Sequence, residues 1–480
     1  MNSEARTSLV AHSEEQAPAW HRRLSDVGHG LCWEDLPESV RQAARMALLD
    51  FVGVAVAAAT EPVAAACLRA TEVSSGRCTV IGSRQRRAPA AAASVNATLG
   101  HAYDYDDVYL PGAAHYSTVL IPASLALAEQ VGAPGVRVLE ALVAGNEVAG
   151  RIALATKNVG AQPGIGIRQR GFFPTSVGGS VAAAVASAKV LDLDADQSAH
   201  ALGLGMNFAG GLASIGHGDN NSKCLLAGWA AQSGVEAAGH AQAGFTCQRD
   251  VAESIRGFFN AFSPGPFRAD ALMRGRDQAW IVESLSYKLY PVEYVVHPLV
   301  ELALQARDVL GKAVSRIGRI DVSCYSGYAL FEPSKLKHAP PDGYAAVFSA
   351  PYCIARALSK PQGGLVLADF TENYVCDEPL RALAARVHFL PDADYDRDFP
   401  DRVGARMTIF DESSAVLFKA DVPHPYGTPE RPLAYAQLLE KFHHNCRAWP
   451  LARRERLLAL IAQVESAPDA GWISALGEDG

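Results

Sequence analysis

The stretch HAYDYDDVYLPGAAHYSTVLIPASLALAE, residues 101–129, gathers Asp104, Asp106, Asp107 and His115 beside a break that leads into an apolar helical run. Three carboxylates cannot be buried and ionised together unless cations or hydrogen bonds hold them. The run is therefore either a solvated, helix-capping loop or a place built to move protons. His115, eight residues past Asp107, supplies a group that titrates near neutrality. Arg168 and Arg170, just before GFFPT, are able to grip a carboxylate through paired hydrogen bonds or simply to meet surface acids. Glu147 and Arg151 stand at i,i+4 on a helical run and read as a structural pair. His443 and His444 are adjacent on a helix, so their side chains diverge and make a poor metal site.

The elements that must position these residues fall into two textures. Up to about residue 282 the chain is alanine-rich with helical periodicity, as in VRQAARMALLDFVGVAVAAA from 40, SVAAAVASAKVLDL from 180 and LAGWAAQSGVEAAGHAQAG from 226. Small residues on several faces predict a bundle of closely packed helices, buried nearly all round at its centre. The stretches GIGIRQRG and LGLGMNFAGG do not follow a strand, which argues against a dinucleotide fold. From 283 the β-branched segments RIGRIDVSCYSG, RVHFLPDADYD and GARMTIFDESSAVLFKADV predict strands, with FSAPYCIARAL as a helix between them. The fold class expected is mainly α with a second α+β domain. Its parts are a helical domain over 1–282, an α+β lid over 283–424, and C-terminal helices over 425–480 that return to the first domain.

Composition narrows the function classes. A net charge of -8 argues against nucleic acid or an anionic membrane as partner. No apolar run reaches the roughly 18 residues that a membrane span needs. Residues 1–18 carry acids and no apolar stretch of the signal-peptide kind, so they read as a disordered leader on a cytoplasmic protein. The 9 cysteines are scattered without a CxxC pair, which disfavours zinc and iron–sulfur sites and suits buried thiols in a reducing compartment.

Six blocks, HAYDYDDVY with HYSTVLIPASLALAE, ALVAGNEVAGRIA, GFFPTSVGGSVAAA, SKCLLAGWAAQSGVEAAGHAQAGFT, YKLYPVEYVVHP and AVFSAPYCIARAL, resemble in order those of the MmgE/PrpD superfamily. That superfamily includes 2-methylcitrate dehydratases, cis-aconitate decarboxylases and iminodisuccinate epimerases. The resemblance implies a large helical domain, a smaller α+β lid, a homodimer, and a site between the domains that uses no cofactor or metal. It implies a small polycarboxylate as the partner, held by cations while an acid and a base act beside a carboxylate.

Carried over by motif, Asp104 matches a family active-site aspartate, and His115 matches the histidine of an HPS motif whose proline is Tyr116 here. His115 is then the general acid or base and Asp104 its partner. Lys223 and Lys288 fall where the family places cations for substrate carboxylate, Lys223 just ahead of a predicted helix whose N-terminal partial charge also suits an anion. Substrate contacts are expected from Phe173 and Thr175 of GFFPT, from His217 on a Gly/Asn loop, and from Leu226, Glu293 and Tyr328; Tyr325 and Tyr352 are lid alternatives to Tyr328.

Three departures bear on the reaction. Phe173 stands where decarboxylase-like members carry an active-site histidine, Leu226 where many members have another, and Glu293 where decarboxylases have a third. YPVEY resembles the FPAEF stretch of methylcitrate dehydratases. The expectation is a hydro-lyase dehydrating a 2-hydroxy polycarboxylate such as 2-methylcitrate or an alkylcitrate. The apolar replacements point to fewer carboxylates or a longer alkyl arm than cis-aconitate has. The alternatives are decarboxylation of a cis-aconitate-like acid or epimerisation on the same scaffold, and a diverged binding protein without catalysis.

Overall fold

The computed structural model describes residues 19–157, 165–214, 221–275, 278–331 and 335–477. The chain is mainly helical with a smaller α/β part. Its first core is built from α1 (Trp20–His29), α2 (Glu38–Ala58), α3 (Pro62–Ala70), α4 (Pro89–Gly100), α5 (Ser117–Val131), α6 (Gly135–Thr156), the single turn α7 (Gly166–Gln169), α8 (Pro174–Val190), α9 (Ala195–Phe208) and α10 (Ser222–Gln242). Local chemistry marks the ends of several. Pro89 and Pro174 sit in the first turns of α4 and α8, where a missing N–H costs nothing. Asp194 and Gln197 exchange backbone and side-chain hydrogen bonds to cap α9, and Gly132 closes α5 at φ +69°.

Small residues set how tightly these helices approach. A Cβ on Gly228 would lie 2.3 Å from Thr98 Oγ1 and 2.6 Å from the Ser94 carbonyl oxygen, so α10 lies directly on α4. The alanine-rich α8 is buried along almost its whole length between α6, α9 and α10. Alternation is absent there because every face meets another helix.

The second core wraps a four-stranded sheet of order β6-β5-β7-β8, with β5 (Ile317–Cys324), β6 (Val387–Pro391), β7 (Ala405–Asp411) and β8 (Val416–Val422). β5 runs parallel to β6 and antiparallel to β7, and β8 is antiparallel to β7. Ile317, Ile320, Val322 and Cys324 of β5 face the core with helices His297–Leu310 and Ala350–Ser359. The one-face-buried alternation is what the sequence carries in β5 and β7.

Three smaller features complete the first core and hold its Asp-rich loop. β3 (Val108–Tyr109) pairs antiparallel with β4 (Leu285–Ser286), Val108 opposite Ser286, which carries the chain after β4 onto the Asp-rich loop. A short hairpin of β1 (Ser75–Thr79) and β2 (Arg86–Arg87) lies near α4 and α5. Helix Tyr435–Asn445 packs on α2, with Phe442 against Gly53. From that helix Lys441 reaches Asp50 Oδ1 at 2.6 Å and the Tyr105 carbonyl at 2.8 Å. Among the described residues no single helix is long and apolar enough to cross a membrane.

Candidate active site

Asp104 follows α4 by four residues and adopts a left-handed backbone, φ +49°, a conformation aspartate tolerates better than most residues. The turn aims its carboxylate inward, where it is 1% exposed. Lys223, in the first turn of α10, lies 2.6 Å from Oδ1; Lys288, two residues past β4, lies 3.1 Å from the same oxygen and also donates to the Asp104 carbonyl. Burial alone would raise the carboxyl's proton affinity, yet the ammonium groups of Lys223 and Lys288 overturn that and hold it far below the ordinary carboxylate range. Lys288 is wholly buried; burial lowers its proton affinity and Asp104 restores part of it.

His115 is placed by the bridge between Tyr109 and Ala114, which folds the 110–113 turn back and leads into α5. Its backbone N–H donates to Thr175 Oγ1 at 3.1 Å, and Nδ1 lies 2.8 Å from the Asp107 carbonyl oxygen. A carbonyl only accepts, so Nδ1 carries the proton and Nε2, 3.5 Å from Asp104 Oδ1, keeps its lone pair. Burial lowers the pKa of His115 to about 4, against Asp106, which raises it, and with Lys288, which lowers it. The imidazole is accordingly neutral at pH 7 with its basic nitrogen beside the carboxylate.

A cavity of ≈ 90 Å³ opens above these groups between the two cores. Asp104, His115, Lys223 and Phe173 line it from the helical side, Glu293, Tyr325 and Phe348 from the other, and Arg168 on α7 joins them. Lys223 Nζ sits 5.0 Å above the Phe348 ring. Glu293 is half-buried, its N–H bonded to the Val347 carbonyl. Lys223 and Arg168 bring two cationic side chains to the lining, beside the carboxylates of Asp104 and Glu293. A larger cavity of ≈ 720 Å³, lined by Tyr103, Cys224, Tyr344 and Asn445 among others, shares none of its described lining residues with the smaller one.

The residues singled out in the sequence divide accordingly. Asp104, His115, Lys223, Phe173 and Glu293 converge on the cavity. Lys288 does not line it; it lies underneath and serves Asp104. Thr175 is fully buried and positions the His115 backbone. Leu226, about one turn after Lys223 on α10, is half-buried beside Gly211 and is not among the residues that line the cavity. Tyr328 packs in the second core, and its neighbour Tyr325 faces the cavity instead; Tyr352 is buried and donates to the Asp369 carbonyl. His217 lies outside the described residues. Of the two arginines, Arg168 lines the cavity while Arg170 bonds the Ala261 carbonyl. Glu147 and Arg151 are buried 3.4 Å apart, with Glu147 accepting from the Ile281 N–H. Tyr116, in place of the motif's proline, is fully buried with its hydroxyl close to Gly112 and Gly178, which leave it room.

Sequence reading assigned no role to His101. Its Nδ1 is 3.0 Å from both oxygens of Asp106, and its ring centroid is 4.6 Å from that of His115. The signal was the histidine opening the HAYDYDD run, three residues ahead of Asp104, but nothing local says that it turns inward. Ligand atoms of His101, Asp104, Asp106 and His115 lie within 4.8 Å of one another, a spacing that suits a metal ion. Two ammonium groups already neutralise Asp104, and a divalent cation placed there would meet both at close range. The donor set fits proton transfer better than metal binding.

A profile of the MmgE/PrpD N-terminal domain matches residues 22–270, and one of the MmgE/PrpD C-terminal domain matches residues 290–466. The chain is 27% identical to a cis-aconitate decarboxylase of Aspergillus terreus over 441 residues, 87% of this chain and 88% of that one. It is 26% identical to the cis-aconitate decarboxylase of Homo sapiens over 471 residues, 93% of this chain and 92% of that one. It is 29% identical to the cis-aconitate decarboxylase-like protein oryM of Aspergillus oryzae over 271 residues, 53% of this chain and 55% of that one.

Proposed function

Because this chain belongs to the MmgE/PrpD family, we propose that it is a lyase that decarboxylates a small, cis-aconitate-like polycarboxylate by proton transfer next to a carboxylate. The observation that carries the reading is the meeting of His115 Nε2 and Lys223 Nζ on one oxygen of Asp104, at 3.5 and 2.6 Å, in a cavity between the cores. Lys223 and Arg168 hold the anionic substrate. A carboxylate turned toward Phe173 and Phe348 loses hydration, which favours its departure as carbon dioxide. The electron pair of the broken C–C bond moves through the adjacent double bond, and the far carbon takes a proton. His115 delivers it, because a bound polyanion raises the imidazole's proton affinity. Asp104, kept ionised by its two lysines, stabilises the imidazolium.

Dehydration is the second reading, and a specific observation favours it. His115 is a neutral base, suited to removing a proton from carbon while the Lys223 ammonium protonates a leaving hydroxyl. This was the preferred expectation from YPVEY. The relatives that span most of the chain are named for decarboxylation, and that reverses the order. The reactions are separated by incubating the protein with cis-aconitate, citrate, 2-methylcitrate and longer alkylcitrates and following product mass. Loss of the mass of carbon dioxide is the expected result, a gain or loss of water supports the second reading, and no turnover of any acid overturns both.

A further inference from the structure

We propose that His101 and Asp106 are positioning residues that hold His115 in its working tautomer and set the proton affinity of its Nε2. The inference rests on His115 being the proton carrier and adds two residues that do not line the cavity. Asp106 is 1% exposed and lies between two imidazoles: His101 Nδ1 is 3.0 Å from each of its oxygens, and His115 Nδ1 is 3.3 Å from Oδ2. Both histidines present Nδ1 to this carboxylate, His115 sharing its proton between Asp106 and the nearer Asp107 carbonyl oxygen at 2.8 Å, so both Nε2 atoms are left basic. On His115 that nitrogen faces the cavity. On His101 it is buried without a hydrogen-bond partner, so the ring's only hydrogen bond among the described residues is the one to Asp106.

The arrangement makes His101 a competitor for Asp106. The one hydrogen bond that His101 Nδ1 donates, shared by both Asp106 oxygens, draws negative charge away from His115, so the carboxylate orients the imidazole without keeping it protonated. The shape supports this division. The His101 ring lies against His115 on one side, centroids 4.6 Å apart, and near-parallel to Phe173 on the other at 6.1 Å. The charged and titratable groups that face His115 are Asp106 and His101 at Nδ1, with Asp104 at Nε2 and Lys288 and Lys223 behind it from the two neighbouring elements. Thr175 of α8 adds only a neutral hydroxyl.

The two residues therefore push the same quantity in opposite directions. Asp106→Asn is expected to lower the proton affinity of His115, and His101→Leu to raise it. His101→Asn, whose amide nitrogen replaces Nδ1 as donor, is expected to stay near the parent. The readouts are a ring-NMR titration of His115 and the pH profile of kcat/KM for an acid that the parent protein turns over. In Asp106→Asn, kcat is expected to fall about 10- to 100-fold, the usual effect of removing a group that orients a site residue, with KM little changed. Shifts of the same sign in Asp106→Asn and His101→Leu, or unmoved titrations with only a lower melting temperature, overturn the proposal; so does His101→Asn behaving like His101→Leu. If His101→Leu does not fold, the sign of the Asp106→Asn shift decides. The NMR titration needs no substrate, so it tests the positioning role even if the reaction assigned above is wrong.

Discussion

At the scale of single residues, the Asp-rich run is three carboxylates given three different fates by their neighbours. Asp104 is ionised by lysines and Asp106 by histidines, whereas burial, with Asp50 and Asp106 nearby, pushes Asp107 well above the ordinary carboxylate range. An acid whose folded proton affinity is raised contributes its full stability below its unfolded value, here 3.8, and loses that contribution as pH climbs from there through the raised folded value. Asp107→Asn removes the penalty. Its melting temperature relative to the parent should therefore rise between pH 4 and pH 7, and thermal melts at both values check the sign. The sequence made visible that three acids in a row needed partners, and it named Asp104 and His115. It did not reveal which acid stays neutral, because that depends first on burial and then on Asp50, fifty-seven residues upstream, as well as on Asp106 within the run.

At the scale of elements, the site is carried by helix ends and a two-residue strand pair. Lys223 reaches Asp104 because α10 lies on α4 at Gly228, where any side chain would press on Thr98 Oγ1 and the Ser94 carbonyl. Gly228→Ala should cost about 1–3 kcal/mol, as overpacking does, and weaken anion binding by lifting Lys223 from Asp104. Melting together with titration of an unreactive dicarboxylate measures both, and an unchanged affinity would separate helix spacing from the site. The helices from 40, 180 and 226 and the strands near 317, 387, 405 and 416 were legible, since long alanine-rich runs and β-branched alternation survive in any context. The pairing of β3 with β4 was not. Two residues carry no periodicity, and the partner lies almost two hundred positions away.

At the scale of the whole molecule, the loop that holds the site is clamped from three distant parts of the chain: Lys223 from α10, Lys288 from beyond β4, and Lys441 from the helix Tyr435–Asn445. Lys441 touches neither the cavity nor its lining; it joins Asp50 to the backbone of Tyr105. Lys441→Met leaves Asp50 buried without its cation and should cost up to about 3–5 kcal/mol. Pairing it with Asp50→Asn should recover most of the loss, and denaturant melts of the two variants decide. Lys441 also bears on how the protein is made. The loop's Tyr105 leaves the ribosome 336 residues ahead of its fastener Lys441. A nascent chain can assemble its early helices and still lack one of the loop's three clamps until Lys441 has been added, so a polypeptide stalled or clipped before that residue would be folded in large part with the loop unfastened.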